Sequence, residues 1–528
     1  MSKSERLLLC STAAATLVLR ALAFFRYRFD ADEQHHLHVA WGWTAGMVQY
    51  RDYFDNHAPL FHLLMAPLVA LLGERPTILL WMRAPMLVLF AVVVWGTFLV
   101  ARRLYDARVA AWAALLLALF PPFFLKSLEF RTDNLWTALW IAALVVLTSE
   151  ELTPRRSFFF GLILGCAMAT SLKTMLLLFT LIAAGVITRF FAKPAGDSRA
   201  SRPQIWLWGI GGFLIVPAAI AIFFAASGAW DALVYCTLTF NGNVALTRKN
   251  LWVGRAIFPF TLAAVLWAAW RFRATSSPWR YFFAVCIGIY TVTLAGFWIL
   301  ISPRDFLPLM PLAAIFAAAA LTALRSPIRA FAAVVVLFVG SLWYYADRFE
   351  NNTDWHTTMM HQALRLSRPG EMVMDLKGET IFRKRPFYYA FENITRAQIA
   401  RGIIRDTVAE DVVRTRTYVA QADGPMWPPR ARAFLSENFV NLGRLRAAGQ
   451  WIHDDGSFTI AIPGRYLVVN ENGEARGLVD GTPQHGARTL QPGAHRFDRA
   501  RRGESVCVVW APAVERGLSP FHMQDIEF

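Results

Sequence analysis

The 528-residue chain is 56% hydrophobic and 17% charged, with a mean hydropathy of +0.38 and a formal net charge of +16. Soluble domains carry about 25% charged residues, so this composition excludes a soluble globular protein and points to a polytopic membrane protein. The positive charge belongs with membrane-adjacent loops and anionic headgroups, because no Lys/Arg run carries a nucleic-acid-binding motif.

The chain starts with Lys3 and Arg6, then an apolar run from Leu7 to Phe25. No small-residue cleavage site follows, so the run is expected to be an uncleaved anchor. Arg20 interrupts it near its outer end, where it could snorkel to the headgroups. The next stretch is dense in charge for so oily a protein. Phe29-Asp30-Ala31-Asp32-Glu33 is followed by His35, His36 and His38, and then by Arg51-Asp52-Tyr53-Phe54-Asp55-Asn56-His57. Charges beside a span are costly to bury and are kept mostly where they work. The pair Asp32-Glu33 could supply a general base, or simply a solvated acid pair favoured at a helix N-terminus. Gln34–Tyr50 reads as a helix in the interface plane, with its histidines at the headgroups or the surface rather than as ligands.

A span needs roughly 20 apolar residues. Helices are expected near 7–25, 77–100, 109–125, 134–149, 157–172, 174–190, 205–226, 255–270, 281–300, 306–324 and 329–346, about 11 spans, with 60–72 partly inserted. Sixteen basic residues fall in alternate loops: Lys3/Arg6, Arg102/Arg103/Arg108, Arg155/Arg156, Arg189/Lys193/Arg199/Arg202, Arg271/Arg273/Arg280 and Arg325/Arg329. Those loops are assigned to the cytoplasm. The polar stretch 192–204 is then a cytoplasmic loop. The acidic cluster, Lys126 to Asp133, Lys173, the loop 227–254 and Ser302-Pro303-Arg304-Asp305 are left outside.

From about 347 the apolar runs stop. Glu371–Leu376 and Thr417–Gln421 alternate like strands, and Ala397–Val413 and Arg430–Leu445 look helical. From Ser457 onward, Phe458–Ile462, Tyr466–Val469 and Val506–Trp510 alternate with turn residues. The expected architecture is mainly α: a polytopic α-helical membrane domain over 1–346, a soluble α/β domain over 347–456 and a β-sandwich-like domain over 457–528. The five cysteines, Cys10, Cys166, Cys236, Cys286 and Cys507, are far apart with no Cys-x-x-Cys pair. That argues against a disulfide framework and a zinc site.

Four more charged residues stand on the outer side. Arg131 and Asp133 open the fourth expected span and could be an ion pair only, or could reach the same cavity as Asp32. Lys173, in Ser171-Leu172-Lys173-Thr174, either snorkels or holds a phosphate. Arg304 repeats that pattern in Arg304-Asp305-Phe306-Leu307-Pro308. Cations opposite carboxylates at one membrane face suit a lipid-phosphate sugar donor. A polyprenyl phosphate is a good leaving group, so cations at its oxygens and one aligned base suffice. No nucleotide motif stands at a strand-to-helix turn.

The ordered set is Asp32-Glu33 after the first span, Tyr50 to Leu60, Arg131-x-Asp133, the Lys173 turn and Arg304 to Pro311. Over about residues 5–345 it resembles the integral-membrane GT-C glycosyltransferases, nearest the bacterial branch with protein mannosyltransferases and lipid A aminoarabinose transferases. The resemblance implies sugar transfer from a polyprenyl phosphate on the periplasmic side, by inversion. It implies Asp32 as base and Asp55 as the second acid. Family members often carry a lysine beside that acid; here the neighbours are Asn56 and His57, and one extra residue precedes Pro59. Asp32, Glu33 and Asp133 are thus the candidate catalytic residues. Asp55, His57, Arg131, Lys173 and Arg304 are the candidate substrate-binding residues. No cofactor is required, although Asp55 with His57 could be half of a site for a divalent metal. The expected partners are the lipid-linked donor, an acceptor hydroxyl on a lipid, glycan or protein, and membrane lipids, with no nucleic acid. A flippase of lipid-linked sugars is the alternative. It should place ionisable groups near the midplane of repeated, broken helices, and no repeated halves occur here. A membrane-anchored glycan sensor would leave the acidic first loop without a role.

Overall fold

The computed structural model describes residues 1–149, 152–191, 203–242, 277–297, 301–422, 424, 426–501 and 503–522, with 259, 263 and 267. The span expected near 255–270 apart from 259, 263 and 267, most of the loop at 192–204, residues 243–254 of the loop at 227–254, and the end of the span expected at 281–300 lie outside the described residues. Two compact units form: one from 1–33, 56–65 and 80–353, the other from 34–55, 66–79 and 354–528.

The first unit is helical. Its elements begin with α1 (Lys3–Arg26), α2 (Ala31–Thr44), α3 (Leu60–Leu72), α4 (Ile78–Met82), α5 (Ala84–Leu104), α6 (Ala107–Leu119), α7 (Pro121–Lys126), α8 (Thr132–Leu147), α9 (Pro154–Thr170), α10 (Thr174–Phe191) and α11 (Pro203–Ala226); α2 and α3 continue into the second unit. The helices Trp230–Val234, Pro278–Phe297, Met310–Thr322 and Pro327–Tyr345 follow; the first, continued by a helical turn over Tyr235–Thr239, lies in the stretch 227–254 that was expected as a loop. Six helices among the described residues are long and apolar enough to cross a membrane. The run expected at 109–125 is two helices. Pro121 and Pro122 lack the N–H that α6 would need to continue, so the chain breaks at Phe120 and restarts as α7. One apolar core joins these helices around Trp112, Trp136, Trp140, Leu117, Ile141 and Ile315. α9 and α11 meet backbone to backbone. A Cβ on Gly161 would stand 1.9 Å from the Gly209 carbonyl oxygen, so only glycine fits there.

Arg20 does not snorkel. It is 5% exposed, inside the protein. It donates to the Phe124 carbonyl, to Ser127 Oγ (3.0 Å) and to the Ser127 carbonyl (2.9 Å), and lies 4.2 Å from the Phe90 ring. Those carbonyls lie at the C-terminal end of the short α7, beyond its last helical N–H; Phe124 also accepts from Ser127 Oγ at 3.2 Å, and the guanidinium fork supplies both carbonyls with donors.

The second unit is rich in strand. Its main sheet has the order β1 (Val373–Met374), β2 (Val419–Gln421), β4 (Leu445–Trp451), β12 (Cys507–Trp510), β6 (Gly464–Asn470) and β10 (Arg488–Leu490). β3 (Phe439–Asn441) adds to β4, and β7 (Gly473–Glu474) to β6. A second sheet runs β5 (Ser457–Ile460), β11 (Gly493–Arg499), β8 (Gly477–Val479), β9 (Thr482–Pro483). β1 and β2 pair in parallel and the other pairs are antiparallel. One sheet therefore draws strands from both sides of residue 456. Arg430–Leu445 splits into the helix Pro429–Asn438 and β3. The β-branched and aromatic end, Phe439-Val440, takes the sheet over the helix.

The first-loop segment 34–55 packs within this second unit. His35 (1%), His36 (0%) and His38 (4%) are buried, not at the surface. His35 Nδ1 meets the Lys377 carbonyl at 2.8 Å, and His38 Nδ1 the Ile381 carbonyl at 2.7 Å. Gly378, at φ +89°, lies flat against the His38 ring, where a Cβ would come within 2.5 Å. A helix that reads as interfacial is instead covered by polar backbone from the loop after β1. His35 and His38 each have a fixed backbone acceptor there, which removes much of the cost of burying them.

Candidate active site

The charged residues of the first unit come together from four separate connections: the stretch before α2, the turn between α7 and α8, the turn between α9 and α10, and Ser302–Phe306. Each connection is held open by local capping. Asp30 precedes α2, and its Oδ1 accepts from the Asp32 N–H at 3.2 Å. Asn134 Nδ2 donates to the carbonyls of Glu129 (2.6 Å) and Lys126 (3.1 Å), shaping the turn that presents Arg131. Thr174 Oγ1 donates to the Ser171 carbonyl and accepts from Trp136 Nε1 at 3.0 Å. Ser302 and Asp305 form a reciprocal capping box, with Ser302 N to Asp305 Oδ2 at 2.7 Å.

Arg131 is the hub. Its Nη1 donates to Asp30 Oδ1 at 3.0 Å and to Asp32 Oδ2, and its Nε lies 3.4 Å from Asp133 Oδ2. Lys173 Nζ bridges Asp133 Oδ1 (3.1 Å) and Asp305 Oδ1 (2.6 Å). Arg304 Nη2 meets Asp30 Oδ2 at 2.5 Å, while its Nε meets Glu129 Oε2 at 2.9 Å. Lys126 closes on Glu129 at 2.6 Å. The structure thus brings Asp32, Asp133, Arg131, Lys173 and Arg304 into one network. The Arg131–Asp133 pair forms, and the same guanidinium also reaches Asp32.

Glu33 turns the other way. It is fully buried. Glu33 Oε2 accepts from the Phe130 N–H at 2.9 Å and Oε1 from the Asp30 N–H at 2.8 Å. Arg83 Nη2 stands 3.5 Å from Oε1. Arg83 also donates to the carbonyls of Phe24 (3.0 Å), Tyr27 (2.8 Å) and Arg28 (2.9 Å), and stacks 4.2 Å from the Phe29 ring. Burial raises the Glu33 pKa, with Arg83 pulling against it. Asp30 shifts the opposite way: burial pushes it up, but Arg131 and Arg304 outweigh that and hold it below the usual carboxylate range. Carboxyls three positions apart are therefore driven to opposite protonation tendencies. Burial lowers Lys173, yet Asp133 and Asp305 more than reverse this, and its ammonium is stabilised.

Asp55 lies in the second unit. Its Oδ2 accepts from Gln49 Nε2 at 2.6 Å, and its Oδ1 is 3.3 Å from His35 Nε2. Burial lowers the His35 pKa, but the Asp55 carboxylate more than offsets this and raises it. This acid–imidazole pair offers two metal-ligand atoms. His57 falls in the first unit, its ring 6.4 Å from that of His62. In the first unit each named carboxylate already faces at least one arginine or lysine, which leaves little for an added cation to do there.

Sequence reasoning gave no role to Arg83, Glu129 or Asp305, and named Asp30 only as part of its stretch. Arg83 carried a usable signal, a charge between Met82 and Ala84 at the head of an apolar run, where its cost demands a partner. Glu129 and Asp305 adjoin the predicted cations but give no sign of which cation they meet.

The fold is that of a mainly helical, multi-span membrane protein, with this charged network gathered in its helical unit. The family profile of Dolichyl-phosphate-mannose-protein mannosyltransferase matches residues 56–223. The fold is similar to that of ArnT from Cupriavidus metallidurans. The apo structure aligns with a TM-score of 0.55 at 13% identity, covering 84% of this chain and 98% of that one. The structure bound to undecaprenyl phosphate aligns with 0.56 at 15%, with the same coverage. No curated protein matches in sequence.

Proposed function

We propose that the protein is a membrane glycosyltransferase that moves a sugar from a polyprenyl phosphate to an acceptor hydroxyl on the periplasmic face of the inner membrane, with inversion. The observation that carries this reading is the Arg131 hub, where one guanidinium serves Asp32 and Asp133 and is joined by Lys173 and Arg304. Cations so grouped suit the phosphate that leaves with its charge developing. A relative in fold, ArnT, has been seen with undecaprenyl phosphate bound.

Asp32 is the base. Its side chain is 30% exposed, against none for Glu33, so an acceptor can reach it. It would take the hydroxyl proton as the oxygen attacks the anomeric carbon. The bond from that carbon to the phosphate oxygen would break, and the electrons would stay with the phosphate. Glu33 ties the stretch before α2 to Phe130 and so sets where Asp32 stands. Asp133 orients Arg131 and Lys173. Domains follow the same reading: residues 1–346 catalyse within the membrane, and 347–528 stand outside the cytoplasm.

Asp32→Asn keeps the side-chain shape and removes the basicity. It should bind polyprenyl-phosphate sugar as the wild type does, while losing about 10²–10⁴ in turnover. Near-normal turnover in this variant, with Asp133→Asn inactive, would move the base to Asp133.

A further inference from the structure

Asp30 carries no role in the reaction just described, yet it has the most telling set of partners in the first unit. Three donors from three connections meet on its one carboxylate: Arg131 Nη1 at 3.0 Å, Arg304 Nη2 at 2.5 Å and the Asp32 backbone N–H at 3.2 Å. That last donor belongs to the first turn of α2, a 14-residue helix whose N-terminus favours negative charge. Two guanidinium forks and a helix N-terminus are what a tetrahedral phosphate takes. The two guanidiniums also repel each other: burial and then Arg131 pull the Arg304 pKa down, and Glu129 and Asp30 more than reverse this. Asp30 is the carboxylate that touches both arginines. Asp30 precedes the helix and is partly exposed, so its side chain can leave without unwinding α2.

We propose that Asp30 is a placeholder. In the empty protein it occupies the seat of a phosphate monoester or diester, between Arg131, Arg304 and the start of α2. The incoming phosphate displaces it and inherits its three donors. This rests on the phosphate-sugar reading above and adds to it where the phosphate sits. It also puts the leaving phosphate and Asp32 on the same guanidinium. The seat stays filled when no donor is bound, so the two arginines remain apposed and ready.

The test uses the full-length protein in nanodiscs, with undecaprenyl phosphate as lipid probe and inorganic phosphate as free-anion probe. Removing the competing carboxylate in Asp30→Asn, or in the smaller Asp30→Ser, should tighten undecaprenyl phosphate binding on the order of tenfold, the value of one charge-assisted contact. Without ligand, both variants should melt below wild type, because each arginine loses the carboxylate the two share and keeps only its other partners. Added undecaprenyl phosphate should restore that loss, and high inorganic phosphate should do so in part. A carboxylate that merely orients the arginines would give weaker binding and no rescue. Equal or weaker binding in both variants, or failure of the lipid phosphate to restore either one, overturns the placeholder while leaving the transferase reading standing. Absence of binding by the wild type overturns both.

Discussion

Lys173→Met removes a cation that two buried carboxylates share. Its side chain is 28% exposed, while those of Asp133 and Asp305, at 3.1 and 2.6 Å from the ammonium, are 6% and 3% exposed. Breaking a buried ion pair by deleting one partner costs about 3–5 kcal/mol. The quarter-exposed lysine takes the lower end. Asp305 keeps Ser302, and Asp133 keeps Arg131 at 3.4 Å, which brings the expected loss to about 2 kcal/mol. That is a factor of about 30 in the folding constant. Titration with denaturing detergent in mixed micelles measures it, with tryptophan fluorescence as readout, since the ammonium lies 5.8 Å from the Trp136 ring. Lys173→Arg should recover most of the loss. A cycle with Asp133→Asn should show coupling of about 1 kcal/mol or more. If Lys173→Met stays within about 0.5 kcal/mol of wild type, as an ordinary surface change would, the ammonium is not held as described. Donor binding is a separate readout of the same variant. If Lys173→Met and Arg304→Ala both leave donor affinity unchanged, the phosphate site is elsewhere.

Arg83→Met should cost about 3 kcal/mol, because it strips three carbonyls and leaves Glu33 buried beside an apolar side chain; a stable Arg83→Met variant with normal turnover would remove Glu33 from the positioning role. Glu379 provides a pH test in the second unit: burial first, then Asp375, raises its pKa from the ordinary 4.5 to about 7. The folded state therefore holds the proton that the unfolded chain releases near 4.5. The stability this gives is full below that pH and lost as pH rises through about 7, at most about 3 kcal/mol. Glu379→Gln should gain on wild type at pH 8 and not at pH 4.5, and an equal difference at both would contradict it. A reporter enzyme fused after residue 350 should work only if it is one that functions outside the cytoplasm; activity of a strictly cytoplasmic reporter there would reverse the assigned orientation.

Much of this was legible in the sequence because hydrophobic length and charge position are local signals. The apolar runs gave the helices of the first unit, and the rule that charge beside a span must earn its place picked out Asp32, Arg131, Lys173 and Arg304. What was not legible is pairing. Nothing near Glu129 says that it meets Arg304, 175 positions away, and nothing near Asp30 says that it bridges two arginines from different loops. Arg20 shows the same limit from the other side: snorkelling is the default for an arginine in an apolar run, and the carbonyls at the end of α7 override it. The histidines after Asp32 misled because a surface helix and one covered by the backbone of a distant loop share the same polar pattern. In the C-terminal region, strands of two to four residues such as β1, β3 and β8 are too short for alternation to register.

The central claim is tested most directly by mass spectrometry of envelope lipids and glycans from a deletion strain, complemented in turn by wild type and by Asp32→Asn. The account predicts that one envelope molecule loses the mass of a single sugar in the deletion strain, regains it with wild type, and does not regain it with Asp32→Asn. Lipid-linked sugar accumulating on the cytoplasmic side, with complementation by Asp32→Asn, would contradict a transferase and make the protein a carrier of such lipids.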